Sequence, residues 1–162
     1  MKKIIPQLTF DFIDWIEEQD VKEKTLIEFG SGNSTIYFSH KFKKVITYED
    51  EPEWIDSVKS RNLENVDMKF LDYNFYKESP ESFINADFIL IDNNPRNNNS
   101  RLYVAQILMR KINYQNILIL DNSNWNAEAY FYLRTKYKNY EDFISMNLRG
   151  DRTVTSVFYD RK

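Results

Sequence analysis

Thr25-Leu-Ile-Glu-Phe-Gly-Ser-Gly-Asn-Ser-Thr35 decides the fold. An apolar strand runs into an acid, then into Gly30 and Gly32, then into three residues that suit a helix start. The chain has only 3 glycines in 162 residues, and two of them fall in this stretch. Glycine permits backbone angles and close approaches that other residues resist. Asn33, Ser34 and Thr35 follow where a helix presents unpaired N–H groups. A strand-to-helix turn of this composition predicts a ligand lying against it.

Outward from that turn, strands and helices alternate. Leu8, Phe12, Trp15 and Ile16 recur at helical spacing, with Thr9 or Asp11 as the cap. Ser34–Phe42 reads as a helix and Lys44–Tyr48 as a second strand. Pro52 opens a helix whose apolar face is Trp54, Ile55 and Val58. Val66–Leu71 is a third strand. Residues 73–85 are ambiguous, with Pro80 as a candidate helix start. Asp87–Ile91 and Asn116–Leu120 are apolar strands, separated by a helix over Leu102–Ile112. Ala127–Tyr137 is a further helix. Strands this apolar are typical of a parallel sheet covered on both faces, so the pattern predicts an α/β architecture with right-handed crossovers. Near the C-terminus the rhythm breaks. Phe143–Leu148 and Thr153–Tyr159 flank Arg149-Gly-Asp-Arg152, which predicts a closing antiparallel pair. Asn93–Ser100 is too polar for a core and reads as a loop.

Bulk properties set limits. A length of 162 residues fits one domain over 1–162 without a separate substrate domain. No run approaches a membrane span, and residues 1–10 do not resemble a secretory leader. Cysteine is absent, which excludes disulfides, thiolate metal sites and cysteine nucleophiles. That absence fits a reducing compartment, and a cytoplasmic location is expected. The formal net charge of -3 disfavours a nucleic-acid partner, which calls for a basic stripe. Oligomeric state leaves no signal.

In open α/β sheets the ligand crevice lies beyond the carboxyl ends of the strands. Acids stand at five such ends: Glu28; Glu49 with Asp50 and Glu51; Asp72; Asp92; and Asp121. Asp and Asn at strand ends often only form turns, but five around one Gly turn suggest a site. Glu49 follows the turn at about the 20-residue distance at which a carboxylate accepts both ribose hydroxyls. The dinucleotide fingerprint requires a third glycine, missing here, and no P-loop lysine is present. A nucleoside without a pyrophosphate fits better than a nicotinamide dinucleotide.

On these residues the chain resembles the class I S-adenosylmethionine-dependent methyltransferases, from about Lys24 to Phe158, in a branch of bacterial proteins with small-molecule or uncharacterised substrates. Glu28-Phe-Gly-Ser-Gly32 looks like the family's first motif and Tyr48-Glu49 like its second-strand acid. Phe70-Leu-Asp72, Leu90-Ile-Asp92 and Leu118-Ile-Leu-Asp121-Asn122 resemble the motifs of the third, fourth and fifth strands, and Arg152–Phe158 the last strand. The resemblance implies a Rossmann-like three-layer sandwich whose seven-stranded sheet has the order 3-2-1-4-5-7-6, strand 7 antiparallel. It implies S-adenosylmethionine as cofactor and a small-molecule acceptor, with methylation at oxygen preferred. Gly30, Gly32, Asn33 and Ser34 would cradle the methionine end, and Glu28 would hold the turn or receive the amino group. Glu49 would bind the ribose and Asp72 would face the adenine. Asp92 would stand near the methionine end and the substrate, binding the cofactor and, with Asp121, serving as a catalytic residue. Asp92 with Asp121 and Asn122 also resembles the oxygen set of magnesium-dependent members, although turn chemistry explains those residues more simply. A binding module without catalysis and a nucleotide-dependent oxidoreductase are the competing readings.

His40, the only histidine, is expected to end a helix rather than to catalyse. Arg96 and Arg101 either clamp an acidic acceptor or solubilise their loop. Trp125 is placed as a pocket roof, Trp15 and Trp54 as core, Tyr48 as sheet core, and Lys41–Lys44 as a solvated helix end.

Overall fold

The computed structural model describes residues 4–71, 83, 85–94, 100–113 and 115–162. Strands β1 (Thr25–Phe29), β2 (Lys44–Glu49), β3 (Val66–Phe70), β4 (Phe88–Ile91), β5 (Ile117–Leu120), β6 (Tyr137–Met146) and β7 (Arg152–Arg161) form one sheet. Its order is β3-β2-β1-β4-β5-β7-β6. The first five strands are parallel, and β7 runs antiparallel to β5 and β6. This is the order and orientation expected from the sequence.

The pleat sends alternate side chains to opposite faces. Leu26, Phe88, Leu90, Ile119 and Val157 enter one core with α1 (Phe10–Glu17) and α2 (Asn33–Ser39). Ile27, Phe29, Ile89, Ile91, Leu118, Leu120 and Phe158 enter the other, with α4 (Ser100–Leu108) and α5 (Ala127–Lys136). Helix α3 (Pro52–Lys59) lies against β2. Two apolar faces on each central strand explain the unbroken apolar runs.

Local chemistry shapes the elements. Pro52 occupies the first turn of α3, where its missing N–H costs nothing. Thr9 stands at the N-cap of α1, but its side chain makes no capping bond. Helix α2 ends at Ser39, short of the expected Phe42, with His40 exposed at its C-cap. The larger correction is β6, expected only from Phe143. It leaves α5 directly at Tyr137 and runs to Met146. As the sheet edge it buries little, so its first half carries Lys138, Asn139, Glu141 and Asp142 and lacks an apolar signature. The expected helix start at Pro80 lies outside the described residues.

Candidate functional site

The turn after β1 is held from beneath. Glu28 has no solvent exposure and accepts from Ser34 Oγ at 2.5 Å and Thr35 Oγ1 at 2.6 Å. Thr35 Oγ1 also accepts from the Gly32 N–H at 3.1 Å. Burial, opposed by these hydroxyl donors and reinforced by the charge of Asp92, pushes the Glu28 carboxyl up to about 8. Glu28 therefore holds the turn and does not line the cavity. Ser34 is spent on it, and Asn33 is exposed and also off the cavity wall.

The two glycines admit close approaches within the fold. Gly30 has φ +97°, and a Cβ there would meet the Asp92 carbonyl oxygen at 2.7 Å and the Asn93 nitrogen at 3.0 Å. Its lack of a side chain lets β1 and β4 converge. Gly32 has φ +152°, and its Cβ would meet the Trp54 ring at 3.3 Å. Trp54, expected in the core, is 47% exposed and lines the cavity over this turn.

Glu49 ends β2, is 4% exposed and faces the cavity. Its Oε2 accepts the Ser31 N–H at 2.6 Å, and its Oε1 accepts the N–H groups of Asp50 at 2.8 Å and Glu51 at 2.9 Å. Three backbone donors thus fix the carboxylate. A carboxylate has about four acceptor positions, so Oε2 keeps one that can receive a ligand hydroxyl. The Ser31 hydroxyl oxygen is buried and lacks a partner among the described residues. It lies on the cavity wall beside Glu49.

Beyond β4 and β5 lies a buried charge cluster. Arg101, only 5% exposed, donates from Nη2 to Asp92 Oδ1 at 2.9 Å, from Nε to the Asn93 carbonyl at 3.0 Å, and from Nη1 to the Asp121 carbonyl. It neither clamps an acceptor nor solubilises a loop, which corrects both expectations. Asp121 Oδ1 accepts from Thr155 Oγ1 at 2.7 Å, and its carboxyl is close enough to that of Asp92 for the two charges to act on each other. Desolvation raises both groups, opposed by Arg101, and Asp121 reaches about 8 because the Asp92 charge adds to its burial. Asp92 lines the cavity, whereas Asp121 does not.

The magnesium set resembled by Asp92, Asp121 and Asn122 does not assemble. The guanidinium of Arg101 supplies the cation beside Asp92, Asp121 turns Oδ1 to Thr155, and the Asn122 amide donates to Thr153 Oγ1 at 2.9 Å. No cluster of three His, Cys, Asp or Glu suited to a metal occurs among the described residues. Asp72 and Arg96 lie outside the described residues.

These strand ends surround a cavity of about 510 Å³. Gly30, Ser31, Glu49 and Trp54 line it from β1 and β2, and Asp92, Asn94 and Arg101 from β4 and α4. Gln7, Asn122, Trp125, Asn126 and Arg149 complete it. Trp125 is 63% exposed there, as expected of a roof. Trp15 packs on Phe12 and Phe143, and Tyr48 is fully buried, both as expected. Gln7 and Arg149 were missed because neither stands at a parallel strand's end.

Solved structures share this architecture. Precorrin-6y C5,15-methyltransferase from Geobacter metallireducens aligns with 98% of this chain and 92% of its own at TM-score 0.70 and 13% identity. An rRNA methylase from Streptococcus thermophilus aligns over 90% and 92% of the two chains at TM-score 0.61 and 13% identity. Aeropyrum pernix fibrillarin, solved with natively bound S-adenosyl-L-methionine, aligns over 91% and 71% at TM-score 0.64 and 13% identity. No protein-family model matches the sequence, and no curated protein matches it. The chain has the fold of the class I S-adenosylmethionine-dependent methyltransferases.

Proposed function

We propose that the protein is an S-adenosylmethionine-dependent methyltransferase that acts on oxygen in a small-molecule acceptor. The observation that carries this reading is the pairing of a fixed Glu49 carboxylate with an unpartnered, buried Ser31 hydroxyl on one cavity wall. That wall offers what a nucleoside with a charged tail requires: an acceptor for a ribose hydroxyl, a hydroxyl for a polar tail, and negative charge for a cation.

When bound, S-adenosylmethionine supplies an electrophilic methyl group on a sulfonium, whose carbon–sulfur bond electrons remain with sulfur. The chain's own residues do the rest. Glu49 and the Gly30–Gly32 turn fix the nucleoside end, and alignment supplies much of the rate of an in-line displacement. Asp92, at the end of β4 beside Gly30, receives the acceptor's hydroxyl proton as the oxygen forms its bond to carbon. Arg101 and Asp121 tune that base. Burial favours retention of one proton between the two carboxyls, while Arg101 balances the remaining charge. The cavity's size and the chain's charge of -3 favour a small acceptor over a nucleic acid.

The test is transfer of labelled methyl from S-adenosylmethionine to a panel of small hydroxylated acceptors. Transfer is expected in the wild type, with Asp92→Asn slower by about 10²–10⁴-fold. Cofactor binding without transfer to any acceptor would favour a binding module instead.

A further inference from the structure

The cavity has two chemically different ends. The β1–β2 end is assigned above to the cofactor. At the other end, Trp125 and Arg149 project from two turns that the cofactor reading leaves unused. We infer that this end is the acceptor subsite, and that it takes a planar aromatic molecule bearing a single carboxylate, with its ring against the Trp125 indole and its carboxylate on the Arg149 guanidinium. The inference rests on the methyltransferase reading for what fills the remainder of the cavity.

Both side chains stand on rigid supports. The turn from Asp121 to Asn126 is closed by the Trp125 and Asn126 N–H groups donating to the Asn122 carbonyl at 2.9 and 3.1 Å. Asn124 Oδ1 accepts from Val154 N at 3.1 Å and Thr153 Oγ1 at 3.1 Å, which ties that turn to β7. The exposure of Trp125 therefore does not come from a loose loop. A fixed, solvated indole face beside a cavity is a stacking platform for a flat ring. The β6–β7 turn is equally constrained. Asn147 Oδ1 accepts the N–H groups of Arg149 at 2.9 Å and Asp151 at 3.0 Å, and the Asn147 carbonyl accepts from Gly150 N at 2.9 Å. The backbone of Arg149 is pinned, while the residue lines the cavity and its exposed side chain has no hydrogen-bond or ion-pair partner among the described residues.

Charge selects the anion. Of the two arginines among the described lining residues, Arg101 is spent on Asp92 and Asp121. One planar guanidinium remains, and its fork matches one carboxylate. A phosphate dianion would bring an uncompensated charge toward Asp92.

The experiment is calorimetric titration of the full chain, with and without S-adenosylhomocysteine, using three probes: 4-hydroxybenzoate, 4-hydroxybenzamide and trans-4-hydroxycyclohexanecarboxylate. The wild type is expected to bind 4-hydroxybenzoate about tenfold or more tightly than either of the others, as loss of a charge-assisted bond or a ring contact implies. Arg149→Gln should erase the preference for acid over amide, and Trp125→Ala the preference for the aromatic over the saturated ring. Both variants should retain S-adenosylhomocysteine affinity, which verifies folding. Equal binding of the three probes to the wild type, or preferences that survive these substitutions, would overturn the inference. If the wild type fails to bind S-adenosylhomocysteine, the cofactor reading falls, and the probe preferences are still decided by the titrations without it.

Discussion

At the scale of single residues, the buried acids carry the sharpest consequences. Glu28 titrates near 4.5 when solvated and near 8 in the fold, chiefly through burial. Between those pH values the native chain holds a proton that the unfolded chain has released. Its stability therefore falls as pH rises across that window. Glu28→Gln keeps the shape of the protonated acid, with one acceptor oxygen, and removes the titration. Urea unfolding should show the variant gaining on the wild type by at least about 1 kcal/mol from pH 5 to pH 8, given about 1.4 kcal/mol for each unit of displacement. Parallel stability–pH curves would contradict the burial argument. Asp121 shifts in the same direction, so the variant keeps a residual slope. Arg101 makes the opposite case. Replacing it with Met strands Asp92 and Asp121 without their cation, and equilibrium unfolding should register a loss of about 3–5 kcal/mol. Gly30→Ala forces a methyl against the Asp92 carbonyl at a φ of +97°. Thermal melts should show it destabilised by about 1–3 kcal/mol.

At the scale of elements, legibility followed burial. Strands β1, β4 and β5 are apolar on both faces, and their sequences announce it. Edge strand β6 packs on one face only, and its N-terminal half reads as polar chain. The sequence revealed its C-terminal half through Phe143, which reaches α1, and through the Gly-Asp turn. The turn itself depends on Asn147, whose side-chain oxygen binds two backbone N–H groups. Asn147→Ala should lower stability by about 1–2 kcal/mol, with unfolding midpoints as the measure. A neutral result would mean that Gly150 and Asp151 alone shape the turn. Trp54 was misplaced for a related reason. Its spacing with Ile55 and Val58 suggests an amphipathic face, but only Val58 of that helix is fully buried, and the indole turns toward Gly32.

At the scale of the whole molecule, the sheet's topology brings two of the strand-end acids, Glu49 and Asp92, onto one cavity. Five strand-end carboxylates were visible in the sequence. Their division of labour was not, because it depends on partners distant along the chain. Glu28 faces inward to Ser34 and Thr35, Glu49 faces the cavity, and Asp92 and Asp121 share Arg101, whose burial no local pattern signals. Gln7 and Arg149 join the cavity only through the folding of the N-terminal segment and the β6–β7 hairpin over the sheet. The central claim, that the β1–β2 end of this cavity holds an adenosine cofactor, is tested most directly by calorimetric titration of S-adenosylhomocysteine into the full chain and into Glu49→Ala. The account predicts saturable binding to the wild type, weakened in the variant by about 1–3 kcal/mol; no binding to the wild type, or equal affinity in both, would contradict it.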